Sequence, residues 1–396
     1  MTPPLHRRPT ALLVSELGIG MGHAKRLLVI GRALKARGWH VTATMRELWT
    51  CTDEFNDARI PLLQSPMHLP VLPPGAFAIS SYADLAAACG FGAVNSLWAS
   101  VLGWTATFDL VRPDLIVADY SPLATLAAFD RLPVLAIGDG FVLPPPHLTR
   151  MPSIGTAAAA PADEDRLMVH AAIVQGRLGR RTPSHLSVLV GGQAHVVCTY
   201  PELDIYAGDR PAPAAGSLLP GTPPLPPAVD PAVFLYLNAG ARITQPLLRA
   251  LAATALPAEA YLRDATEALK EKLRKENPRL RLHDMPPPLS EMLPRSTLVV
   301  HHGGIGTLEL CLAAGRPQFL ASSQFEQSLN VARCVAGQLA ATITRHDTDA
   351  SLQARLTELA TGRHTPARLA AVAADIARRP PNAAIEAVLT ACDRLL

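Results

Sequence analysis

Residues 299–317 read VVHHGGIGTLELCLAAGRP: an apolar strand that ends in histidine, two adjacent glycines, and a helix beginning at about Ile305. The free amide N–H groups and positive dipole end of such a helix face outward, a geometry that holds a phosphate or diphosphate. Gly303, Gly304 and Gly306 bare the backbone, His302 offers a side-chain donor and Thr307 a hydroxyl. A glycine pair entering a helix is also compatible with an ordinary turn, so the continuation matters. It reads SQFEQSLNVARC from residue 323, with Glu326 and Gln327 at the start of another helix. An acid beside an amide supplies the acceptors and donors that neighbouring sugar hydroxyls need, although polar residues also simply favour a helix N-terminus.

Upstream of this stretch, VFLYLNAG (233–240), RLRLHD (279–284) and TLVVHH (297–302) read as strands, with helices from Thr244 and over 264–276 between them. The same alternation fills the first half. ALLVSEL (11–17) is followed by the turn GIGMGH and a helix with Leu27, Ile30, Gly31 and Leu34 on one face. WHVTATM (39–45), LIVAD (115–119), a helix over 121–130 and PVLAIGD (133–139) continue it. Repeated β-α-β units predict an α/β chain of two doubly wound, Rossmann-like domains facing a central cleft, with ligands at the carboxyl ends of the strands. The proline-rich stretch 209–231 reads as an extended linker. The expected parts are therefore 1–208, the linker 209–231, 232–380, and a final stretch 381–396.

Composition narrows the partners. Over 396 residues, 36 Lys+Arg stand against 33 Asp+Glu, and charged residues make up only 17%. A formal charge of +3 is too small and dispersed for a phosphate-neutralising surface, so nucleic acid is not an expected partner. The six cysteines, at 51, 89, 198, 311, 334 and 392, form no metal-type pair and read as reduced thiols of a cytoplasmic protein. No stretch is long and apolar enough to predict a membrane span or an export signal. The alanine-rich stretch 156–165 is expected to be a surface loop.

The motifs together resemble those of the GT-B glycosyltransferases, specifically the superfamily of UDP-glucuronosyl and UDP-glucosyl transferases and bacterial macrolide or antibiotic glycosyltransferases. The resemblance covers nearly the whole chain, is most specific over 299–332, and implies that the final helix 381–396 packs back on the first domain. It implies donor-diphosphate contacts from His302, Gly303, Gly304, Gly306 and Thr307, with Asn238 and Gly240 in the strand-end loop LYLNAG approaching the same phosphates. It assigns Glu326 and Gln327 to the donor hexose. In the first half, GIGMGHAKR is similar to the family's Gly-His position, which makes His23 the general base and Asp119, in IVADYSP, the carboxylate that orients it.

This chain departs from the family at three points. Arg26 stands where many relatives have proline, and Lys25 and Arg26 read as a solvated helix face. HDMPPPLSEMLP (283–294) lacks the aromatic that stacks on the base in plant relatives. The ribose-binding glutamate is replaced by Leu310, with Glu309 one residue early and about 100° away around the helix. The resemblance thus implies an inverting, metal-independent transfer of a hexose from a UDP- or dTDP-linked donor to a hydroxyl of a small-molecule acceptor. The nucleotide sugar is a substrate, and no cofactor or metal is expected. The acceptor pocket is expected in the first half, around 141–148 and the helix bearing Trp98 and Trp104. The alternatives are a nucleotide-sugar epimerase or hydrolase of the same fold, or a non-catalytic partner protein.

Overall fold

Strand β1 (Thr10–Ser15) lies between β2 (His40–Met45) and β4 (Leu115–Asp119), and this placement organises the first half of the chain. The computed structural model describes residues 7–68, 79–154, 162–219, 221, 223–226, 230–363 and 366–396. With β3 (Leu62–Gln64), β5 (Val134–Gly138) and β6 (Ala194–Val197), the first sheet has the order β3-β2-β1-β4-β5-β6 and every pair is parallel. The chain moves outward through β2 and β3, then crosses back to the other side of β1. The loops leaving β1 and β4 therefore diverge, which opens a crevice at this switch point.

The second sheet repeats the plan with β7 (Val233–Asn238), β8 (Ala258–Arg263), β9 (Leu280–His283), β10 (Leu298–His301), β11 (Gln318–Leu320) and β12 (Ala341–Thr342). Its order is β12-β11-β10-β7-β8-β9, again parallel throughout, with its switch point between β7 and β10. Among the described residues, five of the twelve strands, β3, β6, β8, β11 and β12, have no counterpart in the sequence reading. β3, β6, β11 and β12 run from two to four residues, too short to establish a periodic pattern, whereas β8 has six residues that alternate in burial.

Buried apolar strands explain why the sheets form. Ala11, Leu13, Val117, Leu135 and Ile137 join Leu27, Ile30 and Leu34 of the helix Met21–Ala36 in one core of the first unit. The helix Ala383–Leu395 packs into that core through Ala384, Val388, Leu389 and Cys392, and it belongs to the first unit. In the second unit, Val233, Leu235, Leu298 and Val300 pack with Leu247 and Leu251. The two compact units are residues 1–219 with 382–396, and residues 220–381.

The proline-rich stretch is not a free spacer over its full length. Ala215 N–H donates to the Val197 carbonyl and Gly216 N–H to that of Thr199, while Leu218 lies in the first core. Leu225 N–H donates to the Ala314 carbonyl in the second unit, and 220, 222 and 227–229 lie outside the described residues. Of the expected alanine-rich loop, 156–161 also lies outside them, whereas Asp163 caps the helix Glu164–Arg177. No disulfide joins any of the six cysteines. Among the described residues no single helix is long and apolar enough to cross a membrane.

Candidate active site

The loop leaving β1 has little room. At Gly18 a Cβ would lie 2.4 Å from Cγ of His23 and 2.7 Å from Oγ of Ser15, so a side chain there would displace the imidazole. Gly20 then precedes the helix Met21–Ala36, which has no side-chain cap, and His23 is its third residue. The ring is largely buried, and its Nδ1 lies 3.1 Å from Oδ2 of Asp119, the last residue of β4. His23 and Asp119 are thus joined at the first switch point.

Lys25 is exposed, as a solvated helix face requires, but Arg26 is not: it is 5% exposed. One turn after His23, it points down onto the strand ends. Its Nε donates to Asp119 Oδ2 at 3.1 Å, its Nη2 to Asp119 Oδ1 at 3.3 Å, and its Nη1 to Asp139 Oδ2 at 2.9 Å. Nη2 also lies 2.9 Å from His23 Nδ1. Burial works against the charge on Arg26, but the two carboxylates outweigh it and raise its pKa further. Burial alone would raise Asp119; Arg26, and then His23, more than offset this and hold the carboxyl below its usual range. Asp139 escaped the sequence reading, yet an aspartate just past a parallel strand is a recognisable signal, as is an arginine three residues after His23.

Tyr120, at φ +55°, stacks on His23 with ring centroids 5.9 Å apart, and Tyr82 and Phe141 pack against Tyr120. The rest of the expected acceptor lining is placed differently. Val142 and Leu143 are buried, and Trp104 is fully buried beside Phe108. Trp98 is half-buried under the Arg177 guanidinium. These residues are apolar enough to be drawn into the core or its cover, which leaves Phe141, through Tyr120, as the part of that expectation next to His23.

In the second unit the helix Ile305–Ala313 starts from Gly304 without a side-chain cap. Its first internal bond is Leu308 N–H to the Gly304 carbonyl, so helix geometry leaves the amides of Ile305, Gly306 and Thr307 directed out of the N-terminus. Gly303 has a different task. At φ +86° it places its N–H on Nδ1 of His301 and its carbonyl under Asn330, and a Cβ would come within 2.9 Å of Val331. The Gly303 amide, expected at the phosphates, is therefore bonded to His301 in this structure.

His302 also departs from expectation. Its Nε2 accepts from the Asn238 amide at 2.8 Å and its Nδ1 faces the Ala321 carbonyl at 2.6 Å. With both nitrogens engaged, the ring is a neutral strut between β7, β10 and β11 and has no donor left for a phosphate. Burial lowers its pKa, only partly opposed by the Ala321 carbonyl, and the Arg263 charge lowers it further. His301, not singled out from sequence, is buried with Nε2 on Gln318 Oε1, and burial pushes it down to about 4.

The remaining expected contacts form two closed turns. Asn238 Oδ1 accepts from the Gly240 amide and Nδ2 donates to Asp264, at 2.8 and 3.0 Å. Gln327 Oε1 accepts from both the amide and hydroxyl of Ser323, leaving its NH2 to point elsewhere; Glu326 beside it is half-buried. Thr307 is half-buried at the helix start. Glu309 is buried, whereas Leu310 packs beside the cluster of Phe234, Met292 and Leu293. Among the described residues no group of three or more His, Cys, Asp or Glu side chains could hold a metal ion.

No family model matches the chain. The elloramycin glycosyltransferase ElmGT of Streptomyces olivaceus is 30% identical over 235 residues, which is 57% of this chain and 55% of the relative. The chain thus matches about half the length of this curated relative. The calicheamicin glycosyltransferase CalG4 superposes with a TM-score of 0.70 at 19% identity, covering 98% of this chain and 99% of the other. Glycosyltransferase VinC, solved in complex with dTDP, gives 0.69 at 17% over 98% and 99%. The spinosyn rhamnosyltransferase SpnG, solved with spinosyn aglycone, gives 0.64 at 18% over 96% and 99%. Two six-stranded parallel sheets of matching plan, together with these near-complete superpositions, show that the chain has the GT-B fold of the antibiotic glycosyltransferases.

Proposed function

We propose that the chain is an inverting glycosyltransferase that moves a hexose from a nucleoside diphosphate sugar to a hydroxyl of a natural-product acceptor. The observation that supports this most is the His23–Asp119 contact at the first switch point. In the productive tautomer His23 Nδ1–H donates to Asp119, and Nε2 accepts the acceptor's hydroxyl proton as the oxygen attacks the anomeric carbon. Asp119 acts through His23 and stabilises the imidazolium that forms. The leaving diphosphate is met by the amides of Ile305, Gly306 and Thr307, the Thr307 hydroxyl and the helix dipole. His302, Gly303, Asn238 and Gly240 hold those amides in place, and Glu326 with the Gln327 NH2 reads the sugar hydroxyls. Charge stabilisation by amides is independent of a divalent ion.

The test is an assay of the purified chain with UDP- and dTDP-sugars against a panel of polyketide and macrolide aglycones, with and without EDTA. The expected result is release of nucleoside diphosphate matched by a glycoside of inverted anomeric configuration, unchanged by chelator. Free sugar or an epimer without any glycoside would replace this reading with a hydrolase or epimerase. Arrest by EDTA with recovery on added magnesium would overturn metal independence.

A further inference from the structure

Asp119 Oδ2 is claimed twice. It lies 3.1 Å from His23 Nδ1 and 3.1 Å from Arg26 Nε, while His23 Nδ1 is itself 2.9 Å from Arg26 Nη2. A neutral imidazole nitrogen either carries a proton or offers a lone pair. Nδ1 therefore either donates to Asp119 or accepts from Arg26, and the two choices place the ring's single proton on opposite nitrogens. Only the first leaves Nε2 with a lone pair.

What tips the choice is where the guanidinium directs its charge. Arg26 has a second counter-ion in Asp139, 2.9 Å from Nη1 and 2% exposed, on the loop just past β5. We propose that Arg26 and Asp139 form a positioning pair that sets the tautomer of His23. Asp139 takes Nη1, so Arg26 rests on Asp119 only through Nε and Nη2; Oδ2 then keeps a lone pair for Nδ1–H, and His23 presents an unprotonated Nε2. With His23 protonated the cluster holds two cations and two carboxylates, one for each, and Asp119 serves the imidazolium without stripping Arg26 of its partner. Without Asp139, Arg26 rests wholly on Asp119 and donates into Nδ1. That arrangement fixes the proton on Nε2.

The groups facing this cluster come from four elements. His23 and Arg26 lie on the helix, Asp119 ends β4, Asp139 follows β5, and the Tyr120 ring covers His23. Glu47, after β2, is engaged by the Gly20 amide at 3.1 Å. The pair thus joins the helix that carries His23 to the end of β5.

The tautomer claim stands on the cluster alone; its effect on turnover rests on the proposed function. The experiment is imidazole 15N NMR of the full chain, using His23→Gln to assign the signal, alongside pH–rate profiles. Wild type is expected to show the Nδ1–H tautomer, Asp139→Asn the Nε2–H tautomer, and the double variant Arg26→Met/Asp139→Asn the Nδ1–H tautomer again. In turnover, Asp139→Asn should lower kcat by ~10²-fold or more with KM for the nucleotide sugar unchanged, and the double variant should recover most of that loss. Arg26→Met should keep Nδ1–H and move the acid limb of kcat/KM to higher pH, because the charge of Asp119 is then undivided. If Asp139→Asn fails to fold, Asp139→Ser takes its place, with the same Nε2–H tautomer expected. One tautomer in every variant, an acid limb unmoved by Arg26→Met, or no recovery in the double variant would overturn the proposal. Tautomers that move as stated in a chain that transfers no sugar would leave the pair standing and remove the proposed function.

Discussion

The Asn238 amide donates to Nε2 of His302 across 2.8 Å, so the carboxyl ends of β7 and β10 are tied together by a backbone-to-imidazole bond at the second switch point. The first switch point has its own histidine, and the two are used differently. His302 engages both nitrogens, whereas His23 engages only Nδ1 among the described residues. One imidazole is a fixed strut and the other keeps a nitrogen for chemistry.

Because His302 is a strut with a lowered pKa, its protonation should not govern donor binding. Affinity for a nucleotide sugar, read by calorimetry, is expected to stay level between about pH 8 and about pH 6.5. His302→Ala should weaken it by about tenfold, corresponding to about 1.4 kcal/mol for one lost buried hydrogen bond. An affinity that climbs as pH falls, and stops climbing in His302→Gln, would instead show a protonated ring on the phosphates.

His23→Ala should lower turnover by ~10²–10⁴-fold and leave nucleotide affinity unchanged, since the donor contacts proposed above lie in the second unit. Asp119→Asn should fall in the same direction. Wild-type rates in both variants with a hydroxyl acceptor would remove the dyad from the mechanism.

Glu16 gives the first unit a pH-dependent stability. Its carboxylate is fully buried, and although it accepts from the Leu123 and Ala124 amides, burial dominates and raises it from 4.5 to about 8. A raised folded-state pKa contributes stability that is complete below the unfolded value and is lost as pH rises through the folded one. Thermal melting of the first unit should therefore fall as pH rises from about 4.5 to about 8. Glu16→Gln should flatten that slope whatever its absolute stability; an unchanged slope would place the titration elsewhere.

The buried position of Glu309 and the apolar packing of Leu310 leave the usual ribose acceptor without a replacement at that helix position. On the proposed function, dTDP-sugars should serve at least as well as UDP-sugars, and Leu310→Glu should shift preference toward UDP. Competition assays with the two nucleotides measure this. Strong native preference for UDP, lost in Glu309→Ala, would show that Glu309 reaches the ribose.

The helix Ala383–Leu395 contributes Val388 and Leu389 to the first core, together worth roughly 3–6 kcal/mol of burial. Removing 382–396 should therefore destabilise the first unit selectively. Hydrogen exchange should rise in β5 and β6 and stay unchanged in β7 and β10. Equal loss in both units would contradict the division.

The sequence by itself determined the alternation of strands and helices, because buried parallel strands must be apolar throughout and their helices must show one apolar face. It also determined the landmarks, since Gly18, Gly303 and the histidines nearby follow from local turn and cap geometry. The tertiary structure decided what those landmarks do. Arg26 looks like an ordinary polar helix residue until Asp119 and Asp139, 93 and 113 positions later, arrive beneath it to compensate its burial. His302 looks like a phosphate donor until Asn238, 64 positions earlier, supplies the amide that occupies it. A side chain's local pattern sets which groups it can offer; only the folded sheet, by bringing distant strand ends within hydrogen-bonding distance, sets which of them are already taken.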